Sequence, residues 1–125
     1  MEKKEMEIVH HTTMNHLEIF VVEMTSRGPH GHDDFELGMI LDGTMTLFLE
    51  QEQHHLKTGD IYFINRYQVH SFSNKTGRNR ILAFQIDSDF YKHIFYQSKF
   101  LHLEDTVFCS GPFYSKLRGL LLDCA

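Results

Sequence analysis

Apolar and polar residues alternate in short runs along most of this chain, and turn-forming residues interrupt them about every ten positions. "MEIVHHTT" (6–13) and "LEIFVVEMT" (17–25) are rich in β-branched and apolar residues and read as strands joined through "MNH". "SRGPHGHD" reads as a loop because Gly28, Pro29 and Gly31 crowd it. "FELGMIL" (35–41) is a strand, Asp42-Gly43 a tight turn, and "MTLFLEQ" (45–51) its expected hairpin partner. "KTGD" turns the chain before "IYFIN" (61–65) and "VHSFSN" (69–74), and "NKTGRN" precedes "RILAFQID" (80–87), the last clear strand. Strands at this spacing predict an antiparallel sandwich or barrel.

After Asp87 the apolar period changes from two to that of a helix. "SDFYKHIFYQSKF" (88–100) opens on Ser88 as an N-cap and sets Phe90, Ile94 and Phe95 on one side. "CSGP" (109–112) breaks the chain, and "FYSKLRGLLLDCA" (113–125) places Leu117, Leu120, Leu121 and Cys124 at helical spacing. This last helix has an apolar face and neither a cap nor a polar tail. It is expected to continue into a longer protein or to pack on a second copy, with Leu117, Leu120 and Leu121 as the dimer contact. The expected organisation is a β core over residues 1–87 followed by a helical segment over 88–125 that dimerises and begins a linker.

Composition narrows the class. At 125 residues, with 42% hydrophobic and 23% charged residues, the chain fits one globular domain with a real core. No apolar run approaches the roughly 20 residues of a membrane helix, and the N-terminus has no signal-like apolar segment. A soluble cytoplasmic protein is expected. Lys and Arg number 12 against 17 Asp and Glu, so the clustered positive charge that nucleic acid requires is missing. The two cysteines, Cys109 and Cys124, are spaced neither as a metal knuckle nor as a redox pair.

Ten histidines are unusual for this length. The pairs His10-His11 and His54-His55 read as strand or turn positions without a role. His30, His32 and Glu36 share parity, so on one extended strand they face one way, with Gly38 and Ile40 continuing that face. Phe35, Leu37, Met39 and Leu41 form the other face, and both faces are apolar enough to be covered. His70, on a later strand, can meet this group if the two strands pair closely. Three imidazoles and one carboxylate suit a divalent ion such as Zn, Fe, Mn or Ni. Phe72 shares parity with His70 and is the best wall residue among the strand aromatics; Tyr62, Phe63 and Phe84 read as core. Asp33 and Asp34 read as solvated loop residues. Arg66 and Arg78 lie in loops from which a guanidinium can reach an anionic ligand.

At these residues the chain resembles the cupins. Gly28, His30, His32, Glu36 and Gly43 follow the pattern G-x-H-x-H-x3-E-x6-G, with a shortened spacing before the first histidine. Gly59, His70 and Asn74 follow G-x5-P-x-G-x2-H-x3-N, with Asn65 and Tyr67 where cupins usually have Pro and Gly. "PHGHDDFELGMILDGTM" with "LKTGDIYFINRYQVHSF" resembles more specifically the N-terminal sensor domain of AraC-type transcription regulators, over residues 17 to 90. The resemblance implies a mostly β fold: a cupin barrel (double-stranded β-helix or jelly roll) followed by C-terminal helices. It implies a small-molecule effector bound by His30, His32, Glu36, His70, Ile40 and Phe72, a homodimer, and DNA contact only through a helix-turn-helix region absent from this chain. In such sensors these histidines and the glutamate often serve the ligand without a catalytic metal. The alternative is a small metal-dependent cupin enzyme, a dioxygenase or an isomerase, with the metal as Lewis acid or oxygen-binding centre.

Overall fold

A computed structural model describes residues 6–14, 17–31, 34–74, 78–87 and 106–124, the side chains of Met14, His30, Phe113 and Cys124 excepted. The expected helix at 88–100 and the residue His32 lie outside the described residues.

Two antiparallel sheets face each other. The strands are β1 (Met6–Met14), β2 (Leu17–Met24), β3 (Ser26–His30), β4 (Phe35–Asp42), β5 (Thr44–Leu49), β6 (Glu52–Lys57), β7 (Ile61–Ile64), β8 (His70–Ser73), β9 (Asn79–Ile86) and β10 (Val107–Phe108). One helix, α1 (Pro112–Cys124), follows. The larger sheet has the order β1-β2-β9-β4-β7-β10 and the smaller the order β3-β8-β5-β6.

Burial follows the pleat. Val22, Ile40, Tyr62, Ile64, Ile81 and Ala83 point from the larger sheet into the core shared with Met45, Leu47, Leu49, Leu56 and Phe72 of the smaller one. Their alternates Ile19, Met39, Ile61, Leu82 and Phe84 point outward and form a second core. That second core is closed by α1, through Leu121, Leu117 and Tyr114. Strand β7 is buried at all four positions because both of its faces are covered. The expectation that both faces of the Glu36 strand are covered is met in the same way: among its residues only Asp42 is exposed.

Two local expectations are corrected, and one strand is added to those read from the sequence. "SRGPHGHD" contains a strand, β3, which pairs with β8. It lies at the edge of its sheet, where proline's missing N–H costs no ladder bond, and the register shifts between Arg27 and His30, around Gly28-Pro29. The polar segment Glu52–Lys57 is also a strand, β6, at the opposite edge, and Leu56 is its one buried residue. Polar residues are what an edge strand needs to resist pairing with other chains. Asp42-Gly43, in turn, does not close a hairpin. Strand β4 pairs with β7 and β9, whereas β5 pairs with β6 and β8, so the turn carries the chain from one sheet to the other. The register shift between Ile40 and Asp42 supplies the bend at this corner.

Asparagines lock that corner. Asn79, 3% exposed, accepts the Thr44 backbone N–H at 3.0 Å through Oδ1 and donates to Met24 O at 3.2 Å. Asn74 donates to Thr44 O at 2.6 Å and to Asn79 Oδ1 at 3.2 Å. Gly43 has φ of 100°, and a Cβ there would lie 2.1 Å from Asn79 Oδ1, so both its conformation and its space require glycine.

The segment after Asp87 is not wholly helical, since β10 returns to pair with β7. Pro112 opens α1, a position where its missing N–H costs nothing. Leu121 is 5% exposed and Leu117 half-buried, both against this chain's own sheet, whereas Leu120 is 57% exposed. The leucine stripe therefore divides between an inner and an outer face of the helix. Among the described residues no helix is long and apolar enough to cross a membrane. Cys109 is an exposed free thiol.

Candidate functional site

His30 and Glu36, expected on one strand, lie on different ones. His30 closes β3 in the smaller sheet and Glu36 is the second residue of β4 in the larger one. The chain crosses between sheets after His30, so parity carried through residues 31–34 has no meaning there. His30 and His70 are cross-strand backbone partners in the smaller sheet.

His70 is 1% exposed. Its Nδ1 lies 2.9 Å from the Gln68 carbonyl oxygen, which can only accept, so Nδ1 carries the proton and the ring lone pair sits on Nε2. Its ring meets Phe72 edge-on with centroids 6.0 Å apart, and Phe72 meets Tyr62 edge-on at 5.3 Å. The row ends at Glu36, 3% exposed, whose Oε2 accepts the Tyr62 hydroxyl at 2.9 Å. Gly38, the cross-strand partner of Tyr62, permits this: a Cβ at Gly38 would lie 2.1 Å from the Tyr62 ring. Burial drives the Tyr62 phenol well above the ordinary tyrosine range; the charge and hydrogen bond of Glu36 add to the effect, and the charge of Arg27 opposes it.

Glu36, Tyr62 and Phe72 line a cavity of about 230 Å³ between the two sheets. Phe20, Val22, Met24, Ile81 and Ala83 supply most of the remaining wall, and Met6 and Ile8 of β1 complete it. Two further polar side chains reach in, Arg27 from β3 and Gln85 from β9. An apolar chamber with a few convergent polar groups is the usual form of a small-molecule site.

Of the expected binding residues, Glu36 and Phe72 line the cavity, whereas His70 touches it only through Phe72. Ile40 is wholly enclosed in the shared core and is not on the wall; it packs rather than presents a surface. Arg78 is engaged by Glu23 at 2.9 Å, and Arg66 lies over the exposed Tyr67 ring at 5.1 Å, so neither loop arginine is on the wall. Arg27, Gln85 and the Tyr62 hydroxyl were missed from the sequence. Arg27 was hidden by the Gly-Pro that made β3 look like a loop. For Tyr62 a signal existed: Gly38 within an apolar strand marks the close approach of another group.

Among the described residues no three His, Cys, Asp or Glu side chains converge as a metal group. Glu36 and His70, the two candidates with described side chains, are held by Tyr62 and by the Gln68 carbonyl. Two such donors alone do not make up a metal centre.

Comparison with solved structures finds the cupin fold. AerE from Microcystis aeruginosa superimposes with a TM-score of 0.71 at 16% identity, covering 85% of this chain and 48% of AerE. The Cnp3 cupin domain of Schizosaccharomyces pombe gives 0.64 at 12% identity, covering 74% of this chain and 72% of that one. The DMSP lyase DddQ from Ruegeria pomeroyi gives 0.56 at 22% identity over 60% of this chain and 40% of the lyase. This chain thus spans less than half the length of AerE and of DddQ. The comparison with curated proteins found no match. A family model described as the AraC-like ligand binding domain matches residues 22–105, which takes in the end of β2, strands β3 to β9, the sheet-crossing turn and the cavity wall apart from Met6, Ile8 and Phe20. The chain belongs to the AraC-like ligand-binding domain family, and its fold is a cupin barrel.

Proposed function

We propose that this chain is the effector-sensing and dimerising module of a transcription regulator, with DNA contacts made by a helix-turn-helix region outside it. The observation that carries this reading is the cavity: apolar walls, four polar groups, and a volume suited to a small organic molecule. The net charge of -5 agrees, since a module of this charge is a poor partner for DNA by itself.

The signalling route is short. Strands β2 and β9 turn Val22, Ile81 and Ala83 toward the cavity and Ile19, Leu82 and Phe84 toward α1. One sheet therefore separates effector from helix. An effector that fits one packing of this sheet better than another shifts the population of helix positions, and through them the spacing of two DNA-binding halves. Leu120, exposed on α1, supplies the surface for a second copy.

Filling the cavity tests the reading. Ala83→Phe should leave the fold in place and abolish thermal stabilisation by small molecules that stabilise the unaltered protein. Equal stabilisation of both proteins would contradict it.

A second reading, a metal-dependent cupin enzyme, draws on one observation. His30 and His70 are cross-strand partners, and the Gln68 carbonyl orients the His70 ring as second-layer acceptors orient metal-bound imidazoles. Metal analysis of the purified protein decides it: stoichiometric Zn, Fe, Mn or Ni that is lost in His70→Ala supports the enzyme, and its absence supports the sensor.

A further inference from the structure

We infer that the cavity takes a compact organic monoanion, a carboxylate with an apolar body, whose acid group pairs with Arg27. This rests on the effector-binding reading and specifies its ligand class.

Arg27 is half-buried and lines the cavity. Its cross-strand partner is Phe72, itself on the wall, so the pleat turns both inward. Among the described residues its guanidinium makes no hydrogen bond and no ion pair. Three other arginines are engaged: Arg78 and Arg80 both bind Glu23, and Arg66 stacks on Tyr67; Arg118 is exposed on α1. A half-buried cation against apolar walls gains from an anion that meets it. Glu36, the acid on the wall, accepts the Tyr62 hydroxyl instead. The planar fork of arginine matches a carboxylate through two parallel hydrogen bonds.

The other groups restrict the ligand further. The charge on Glu36 disfavours a second negative charge in the same chamber, which selects a monoanion over a dianion. Phe20, Met24 and Phe72 offer an apolar and aromatic surface to its body. Gln85 offers an amide to a second polar substituent. A volume of about 230 Å³ is below the usual range of small-molecule sites, which suits a compact ligand.

Calorimetric titration of the protein with benzoate, hexanoate, benzamide and phenyl phosphate tests the proposal, with Arg27→Gln as the variant. Saturable binding of benzoate or hexanoate is expected, with benzamide about tenfold weaker or worse, as is usual when one charge-assisted pair is lost. Arg27→Gln should weaken the acid by a similar factor while leaving the unliganded melting temperature the same or higher. Benzamide binding as tightly as benzoate, or an unaltered affinity in Arg27→Gln, overturns the anion assignment and leaves effector binding standing. Tighter binding of phenyl phosphate overturns the monoanion in favour of a dianion. Failure of all four probes to bind at millimolar concentration overturns the assignment and counts against effector binding as well.

Discussion

The Tyr62 hydroxyl donates a 2.9 Å hydrogen bond to the Glu36 carboxylate inside the barrel, from a neighbouring strand and across a glycine. The bond holds a buried acid in place and shapes one wall of the cavity. Tyr62→Phe removes the donor and leaves that carboxylate oxygen without it. The expected loss is about 1.5–3 kcal/mol, the usual range for hydrogen bonds to charged groups, measured by urea unfolding near neutral pH.

The same pair predicts a pH dependence. The folded protein holds the Tyr62 phenol well above its ordinary value of 10.0. The native state thus keeps a proton that the unfolded state releases, and stability falls as pH rises. The contribution is complete below about pH 10 and declines above it. The slope of stability against pH above 10 should be flatter in Tyr62→Phe than in the unaltered protein; equal slopes would contradict the assignment.

Gly38→Ala should be worse than its size suggests. The added methyl would lie 2.1 Å from the Tyr62 ring, so the ring must move off the strand and its bond to Glu36 must break. A loss of about 2–4 kcal/mol is expected, combining overpacking with the lost hydrogen bond. The double variant Gly38→Ala with Tyr62→Phe should be less destabilised than the sum of its parts, because both act on one contact.

Tyr67 has φ of 60°, the left-handed region, at the position where the cupin pattern has glycine. Its side chain is 66% exposed, so little packing depends on it beyond the Arg66 contact. Left-handed backbone costs an L-residue about 1–2 kcal/mol, partly offset by the greater unfolded-state freedom of glycine. Tyr67→Gly should stabilise the protein by up to about 1 kcal/mol, read as a higher midpoint in urea. A lower midpoint would show that the tyrosine ring contributes more than its backbone costs.

The leucines of α1 should behave differently from one another. Leu121→Ala opens a cavity against Ile19, Leu82 and Phe84 and should cost about 2–4 kcal/mol. Leu120→Ala should change monomer stability by less than about 0.5 kcal/mol. If the protein dimerises through this helix, Leu120→Ala weakens the dimer in sedimentation while Leu121→Ala acts first on folding.

Much of the barrel was legible in the sequence, because strands such as Phe35–Asp42 and Ile61–Ile64 are short apolar runs bounded by turn residues. Edge strands were not, since β3 and β6 tolerate or need the Gly, Pro and charged residues that usually signal loops. Strand pairing was equally hidden: Asp42-Gly43 has the chemistry of a hairpin turn, and only the closed barrel reveals that its flanking strands belong to different sheets. Glu36 and Phe72 were named from the sequence and line the cavity, although the parity that grouped Glu36 with His30 does not hold. Arg27 and Gln85 were not, because which face of a strand lines a cavity depends on long-range closure and not on local pattern.

The central claim, that a small organic acid enters the chamber between the sheets, is tested most directly by methyl NMR during a benzoate titration. The methyls of Val22, Met24 and Ile81 line that chamber and should shift together and saturate, while those of Val69, 51% exposed on the surface, stay still. Movement of the Val69 methyls with Val22, Met24 and Ile81 unchanged would contradict it.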